Sequence, residues 1–383
     1  MIYQPREDSY LLAKHVAKHA KGSVLDMGTG SGIQAIAAAK LRDVKSVLAV
    51  DVQKSVVEHC RKTIISRKIN FRRSNLFENV AGKFDTIIFN PPYLPEDVAL
   101  KDITVEGGKK GYEMLERFFN DVNEHLKPEG IILVLFSSLT NKKKVHEFIE
   151  DNLLEFIELD KEKLFMEELY VYLVKKSSVL KDLEKKGLRN LRRFTKGHRG
   201  IILTGMLGRK KIAVKMQRKD IDAKGTVDRE AKVLKLLNKH KIGPKILFSG
   251  KDMFAYEFVD GAFIPEFLEK ASRKDIPKVL KDVFMQCHRL DLLGINKEEM
   301  HHPYKHVVVT EGRKAVLLDF ERAKKTAKPH NVTQFVQYVT SARFGSLTKG
   351  KLRIDIKRLR QFAGEYKREI SSKNLMNITG SFS

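Results

Sequence analysis

The chain has 383 residues, enough for two or three domains that each bury a core of their own. Its 42% apolar and 32% charged residues suit a globular protein, and no apolar run reaches the roughly 20 residues that a membrane helix needs. The two cysteines, Cys60 and Cys287, are too far apart for a Cys-x-x-Cys pair, and residues 1–8 lack the apolar core of a secretion signal. A disulfide framework and a cysteine-ligated zinc site are therefore not expected, and a reduced, cytoplasmic protein is. The formal charge of +25 is unevenly placed: residues 1–176 carry 27 Lys and Arg against 26 Asp and Glu, whereas 177–383 carry 46 against 22. A polyanion is attracted to the second half, which points to RNA or ribosome contact through residues 177–383.

In chain order, the first half alternates apolar runs with helical periodicity. Strands are expected at Ser23–Met27, Ser46–Asp51, Phe84–Asn90, Gly130–Ser137 and Leu169–Val174. Helices are expected at Ser9–His19, Gly32–Lys40, Lys54–Arg67, Tyr112–His125 and Lys142–Asn152. Short strands separated by helices of 10 to 15 residues imply a doubly wound, mostly parallel α/β sheet. The Lys- and Arg-rich stretch from 177 to 194 reads as a basic linker helix. Beyond it come a hairpin at Ile201–Thr204 and Lys211–Met216, a helix at Asp228–His240, strands at Lys245–Ser249 and Met253–Phe258, and a helix over Asp275–Leu293. A second hairpin, His306–Thr310 with Ala315–Asp319, completes an α+β pattern. Lys351–Ile370 reads as a basic amphipathic helix, and a frayed tail is expected from Ser371.

Val24–Gly32 runs from a strand into three alternating glycines, Gly28, Gly30 and Gly32, which then open a helix. Glycines there let the backbone turn sharply and approach a bound cofactor without a Cβ in the way. The G-x-G-x-G spacing with Asp26 ahead of it is typical of S-adenosylmethionine enzymes rather than of dinucleotide folds. Asp51 ends the next strand, where a carboxylate can accept from ribose hydroxyls. Taken alone, the loop fits any tight strand–helix turn. The four residues Asn90, Pro91, Pro92 and Tyr93 decide between these readings. An amide nitrogen is a poor nucleophile because its lone pair is delocalised into the carbonyl. The Asn90 side-chain oxygen and the Pro91 carbonyl can accept its two N–H bonds and hold it toward the methyl donor, while Tyr93 stacks on the planar group.

At these residues the chain resembles the HemK/PrmC-type class I methyltransferases, in particular the eukaryotic and archaeal branch that methylates the release-factor glutamine of the Gly-Gly-Gln motif. The resemblance covers 1–176 and rests on Tyr3–Ser9, the glycine loop, Asp51, Asn90–Tyr93 and the glycine-rich stretch Glu106–Glu113. It implies a Rossmann-like fold with a seven-stranded sheet. It also implies S-adenosyl-L-methionine held by Asp26, Gly28, Gly30, Gly32 and Asp51, and a target amide bound by Asn90, Pro91 and Tyr93. A small zinc-binding activator subunit is implied as partner, with translation release factor as substrate. Asn75 stands where the family usually has an aspartate touching the adenine amino group, and its amide oxygen is a weaker acceptor. The same Asn-Pro-Pro-Tyr also serves enzymes that methylate exocyclic amines of RNA or DNA, so a nucleic-acid methyltransferase using the basic second half for grip is the alternative.

The second half carries Lys215 on a strand, Glu230 in the helix that follows, a Gly197–Gly205 glycine stretch upstream, a Tyr256–Gly261 connection and Asp319 at a strand end. In this order the features resemble the atypical protein kinases of the RIO type and archaeal predicted Ser/Thr kinases. The resemblance implies an α+β protein-kinase-like domain over 195–350, with ATP and Mg at Lys215, Glu230 and Asp319. Aligned back from the Val307–Val309 strand, His301 stands at the usual catalytic aspartate and His306 at the usual asparagine. Either a histidine or Lys305 takes over that work, or the domain is a pseudokinase that serves as a scaffold. His288-Arg-Leu-Asp291 reads as packing rather than as the missing motif. The expected organisation is a methyltransferase domain (1–176), a linker (177–194), the kinase-like domain (195–350) and a basic C-terminal helix with its tail (351–383).

Overall fold

The computed structural model describes residues 4–92, 111–196, 200–217 and 225–382. Tyr93, Tyr3, residues 106–110 and Gly197 lie outside the described residues. The chain divides into two compact units, the first holding residues 1–193 with 205–209 and the second 194–204 with 210–383.

The first unit runs α1 (Glu7–His19), β1 (Gly22–Met27), α2 (Ile33–Ala39), β2 (Val44–Asp51), α3 (Lys54–Thr63), β3 (Ile69–Arg73), β4 (Phe84–Phe89), α4 (Glu113–His125), β5 (Leu126–Ser137), α5 (Lys142–Asp151), β6 (Leu154–Lys163), β7 (Glu168–Lys176) and α6 (Ser178–Lys185). Its seven strands form one sheet in the order β3-β2-β1-β4-β5-β7-β6. β7 is antiparallel to both its neighbours, and the pairs from β3 through to β5 are parallel. Central strands covered on both faces read as near-continuous apolar runs, and Val24 to Met27 of β1 are all buried. One face packs Leu12 and Val16 of α1, Ala35 and Ala38 of α2 and Val57 and Cys60 of α3 against Val24, Ala49 and Ile88. On the other face Phe118 of α4 sets its ring 4.5 Å from that of Phe89. β1 and β4 pair Met27 with Phe89 at their carboxyl ends, where the strand order reverses. Such a switch point opens the crevice in which doubly wound sheets bind ligands.

The basic stretch after α6 is not helical to residue 194. Gly187, at φ +85°, ends the helix by donating its N–H to Glu184 O, and β8 (Leu188–Lys196) follows. β9 (Gly200–Leu207), β10 (Lys210–Gln217), α7 (Thr226–Asn238), β11 (Ile246–Gly250) and β12 (Met253–Glu257) come next, the strands making a sheet of order β11-β12-β10-β9-β8. The remainder is mostly helical: β13 (Ala262–Phe263), α8 (Ile264–Lys270), α9 (Asp275–Leu292), β14 (Ile295–Asn296), β15 (Val307–Val309), β16 (Ala315–Leu317), β17 (Lys324–Lys325), α10 (Asn331–Val339), α11 (Ala342–Leu347), α12 (Ile356–Arg368) and α13 (Ser372–Gly380). Its core gathers Leu234 of α7, Val283, Phe284 and Cys287 of α9, and Phe335 of α10.

The end of the chain is ordered rather than frayed. Ser371 caps α13 by accepting from the Asn374 N–H, and Ile378 and Phe382 are fully buried, with Phe382 stacked on Phe284 at 5.4 Å. His288 meets the Tyr366 hydroxyl at 2.7 Å, and Asp291 accepts from the N–H groups of Asn331 and Val332 at the start of α10. His288 is a packing group, as the sequence implied, and Asp291 caps α10.

Candidate active site

At the carboxyl end of β1 the chain enters three glycines whose φ values are +66°, +52° and +82° at Gly28, Gly30 and Gly32. This left-handed region is strained for other residues. A Cβ on Gly32 would run into Ile64, and one on Gly28 would point at the Asn90 carbonyl, 4.0 Å away. The glycine loop and the diproline corner therefore face each other across the switch point.

Two carboxylates shape the loop. Asp26 accepts from the Thr29 hydroxyl at 2.6 Å and from the Ala35 N–H at 3.1 Å, so it ties the loop to the first turn of α2. Asp51 accepts from the Gly30 N–H at 3.1 Å through one oxygen and from the Gln53 N–H at 2.9 Å through the other. Burial raises the Asp51 carboxyl above its ordinary value, against those backbone donors. At Asp26, 1% exposed, burial is the largest influence and lifts the carboxyl to about 7, outweighing the bonds from Thr29 and Ala35.

That shift has a measurable consequence. A carboxyl whose folded value lies above the ordinary ~3.9 favours folding below that pH and loses the advantage as the pH climbs to about 7. Between pH 5.5 and 8 this single group is expected to take away about 2 kcal/mol. The urea stability of Asp26→Asn relative to wild type should rise by that amount across the interval, and parallel curves would remove the assignment.

A cavity of about 510 Å³ opens over this end of the sheet, in the range of small-molecule sites. Gly28, Gly30, Asp51, Asn75, Asn90 and Pro91 all line it. Asp26 and Gly32 do not; they act behind the loop by holding its shape. Asn75 points its amide nitrogen at Glu78, 2.7 Å away, and its oxygen lies 3.4 Å from Arg117. Asn90 donates through Nδ2 to Asp8 Oδ2 at 2.9 Å, while its Oδ1 is buried with no hydrogen-bond partner among the described residues. Asp8 and its partner Ser9 also line the cavity. Sequence reasoning reaches Asp8 only as part of a resemblance, because its contact spans 82 residues.

The residues fit S-adenosylmethionine: glycines clear the approach, Asp51 offers oxygens at the end of β2, and Asn90, with its buried and unpartnered oxygen, lines the same cavity. A G-x-G-x-G loop beside Asn-Pro-Pro at the switch point of this sheet defines a class I S-adenosylmethionine-dependent methyltransferase. The methyltransferase small domain model matches residues 7–166. A putative protein N5-glutamine methyltransferase of Methanocaldococcus jannaschii is 40% identical over 150 residues, 37% of this chain and 76% of that protein. The chain belongs to the HemK/PrmC-like protein glutamine methyltransferases. The release factor glutamine methyltransferase of Koribacter versatilis is 32% identical over 148 residues, 35% of this chain and 52% of its own length. Among solved structures, the E. cuniculi Mtq2–Trm112 complex responsible for methylating the eRF1 translation termination factor is 26% identical, covering 46% of this chain and 99% of that one at a TM-score of 0.39.

The second unit has a charged centre of its own. Lys215 of β10 lies 2.6 Å from Glu230 of α7, 3.1 Å from Asp319 and 3.5 Å from Glu321. Burial opposes the Lys215 charge, but these three carboxylates outweigh it and hold the ammonium well above the ordinary lysine value. Glu230 also accepts from the Phe320 N–H at 3.0 Å, which fixes the turn at Asp319, itself at φ +60°. Lys297, fully buried, donates to the Asp319 carbonyl at 2.8 Å, and burial pulls its ammonium down to about 8.

His301 and His302 lie against each other, with ring centres 4.4 Å apart, beside a cavity that Glu299 and His306 also line. The carboxylate nearest His306 is Glu299, at 3.3 Å, and the other nitrogen of His306 stands 3.9 Å from Asp319. His301 and His306 thus line one cavity, and Glu299 adds a carboxylate beside His306. The alignment misses it because the chain makes room there with two consecutive left-handed residues, Glu298 and Glu299, at φ +64° and +59°. Backbone of that kind is invisible to motif spacing.

Proposed function

We propose that the first unit methylates the side-chain amide nitrogen of a glutamine, the one in the Gly-Gly-Gln motif of translation release factor. Family membership supports a protein glutamine as acceptor. The observation that carries the chemistry is the buried Asn90 oxygen beside the cavity, without a partner among the described residues. When bound, S-adenosylmethionine would supply an electrophilic methyl group on its sulfonium sulfur to the target amide nitrogen, whose displaced N–H proton would pass to water. Asn90 Oδ1 and the Pro91 carbonyl accept the target's N–H bonds and hold its plane, with Tyr93 stacking on it. The diproline keeps both acceptors fixed, so little reorganisation is needed as charge develops on nitrogen. Asp51, Gly28, Gly30 and Asn75 hold the adenosyl part of the donor. A small zinc-binding activator is the proposed partner and the cytoplasm the proposed compartment.

The test is a transfer assay with labelled S-adenosylmethionine. The full chain is given a release factor, its Gly-Gly-Ala variant, and a lysate with and without ribonuclease. Label is expected in the intact release factor and absent from the alanine variant. Label confined to ribonuclease-sensitive material would establish the exocyclic-amine alternative and overturn this reading.

For the second unit we propose a kinase-like nucleotide site. Its support is the 2.6 Å Lys215–Glu230 pair next to Asp319, a lysine on a strand held by a helix glutamate beside a carboxylate. In this reading Lys215 meets the phosphates of ATP and Asp319 is the residue for Mg. Glu299 and His306 face the acceptor side, and the surplus of Lys and Arg draws in RNA or the ribosome.

A further inference from the structure

We infer that Asp8 is the positioning residue that decides which end of the Asn90 amide faces the substrate. The inference rests on the proposed role of Asn90 as an acceptor for the target N–H. An asparagine side chain presents an oxygen at one end and an NH2 at the other, and these ends are nearly identical in shape. Only the polar surroundings choose between them. Here the choice is made by a buried carboxylate from the first turn of α1, which can only accept.

Asp8 uses both of its oxygens. Oδ1 accepts from the Ser9 backbone N–H at 2.6 Å and from the Ser9 hydroxyl at 3.2 Å, and Oδ2 accepts from Asn90 Nδ2 at 2.9 Å. The Asn90 nitrogen is thereby pinned on the Asp8 side, and its Oδ1 is turned to the opposite side, buried and without a partner among the described residues. A buried acceptor left unmatched is unfavourable, and an incoming N–H donor satisfies it. Were the amide turned over, its NH2 would confront the N–H bonds of the target, and the site would repel its substrate.

No amide at position 8 can do the same work. An asparagine there must place its NH2 either against the Ser9 N–H or against Asn90. The Ser9 N–H is fixed by the helix, whereas the Asn90 side chain can rotate, so Asp8→Asn should turn the Asn90 amide over. The partner exchange Asp8→Asn with Asn90→Asp restores the bond with its direction reversed. The amide nitrogen introduced at position 8 then donates to one oxygen of the carboxylate introduced at position 90 and leaves the other oxygen toward the substrate.

The experiment compares wild type, Asp8→Asn, Asn90→Asp and the double exchange in the full chain, with release factor as acceptor. Asp8→Asn is expected to lower kcat by about 10²-fold, with KM and S-adenosylmethionine affinity changed less than about threefold. The double exchange should regain at least about tenfold over Asp8→Asn, a rescue that a merely structural role would not give. Side-chain amide NMR of 15N-asparagine-labelled protein reads the orientation without substrate: the Asn90 NH2 signal should shift in Asp8→Asn, whatever acceptor the enzyme methylates. If release factor is not methylated by wild type while that signal shifts as described, the proposed function fails and the positioning role stands. An unshifted Asn90 signal, or an Asp8→Asn enzyme within about threefold of wild-type kcat, overturns the inference. If Asp8→Asn does not fold, a double exchange no more active than Asn90→Asp overturns it equally.

Discussion

An Asn90→Ala enzyme is expected to bind S-adenosylmethionine as wild type does yet transfer methyl groups about 10²–10³-fold more slowly, the usual cost of losing one preorganised acceptor or donor at a reacting centre. The separation of the two effects follows from where Asn90 sits. It follows the last residue of β4, beyond Phe89, while the loop tied by Asp51 and the glycines follows β1. Shortening Asn90 removes Oδ1 but leaves the β1–β4 pairing and the Gly30–Asp51 bond in place. Folding should be little disturbed, because the Asp8 carboxylate keeps its bonds from Ser9 and gains access to water through the space the amide vacates. Calorimetric titration with S-adenosylmethionine and initial rates on release factor separate binding from transfer. Turnover within tenfold of wild type in the alanine variant would mean that another group holds the target nitrogen.

Legibility in the sequence follows the distance over which each constraint acts. The glycine loop, the strand before it and the Asn-Pro-Pro corner are set by neighbouring residues, and the structure places Gly28, Asp51 and Asn90 around one cavity. Strands β3 and β6 do not stand out in the sequence, although the family resemblance implies seven. Both lie at the sheet's edges, where half of the side chains meet water, and Ile69–Arg73 or Leu154–Lys163 show too few apolar residues to be noticed. The linker loses its helix to Gly187, a single residue whose left-handed backbone outweighs the helical preference of its lysine-rich surroundings. The tail reads as frayed because polar Ser and Asn residues dominate its composition, whereas Leu375, Ile378 and Phe382, spaced along one face, bury against α9 and α12. Asp8, Glu299 and the role of Asp26 depend on contacts or backbone angles that no local pattern encodes.

Replacing Lys215 by methionine should be the most damaging single change in the second unit, at about 3–5 kcal/mol, because it removes one partner of a buried ion pair and keeps the others. Lys215 stands on β10 beside β12 in the sheet, with Val214 and Phe254 fully buried nearby. Without its ammonium, Glu230, Asp319 and Glu321 would hold oxygens within 4.8 Å of one another and no lysine between them. Burial already raises Glu230; at Asp319 burial also pushes upward, but Lys215 and Lys297 outweigh it and hold the carboxyl below its ordinary value, so loss of the Lys215 cation would raise both. Groups shifted in that direction favour folding at low pH and cost stability as the pH rises, so the deficit should be small near pH 4 and full near pH 7. Glu230→Gln is the milder change, since Lys215 keeps Asp319 and Glu321 and the glutamine oxygen still accepts from the Phe320 N–H. Urea unfolding at the two pH values orders the variants, and titration with ATP and Mg in the same proteins asks whether the pair also serves a nucleotide. A methionine variant as stable as wild type at pH 7 would show that the three carboxylates can separate or find water once the lysine is gone. The pair would then be a surface-like contact rather than the centre on which the second unit is built.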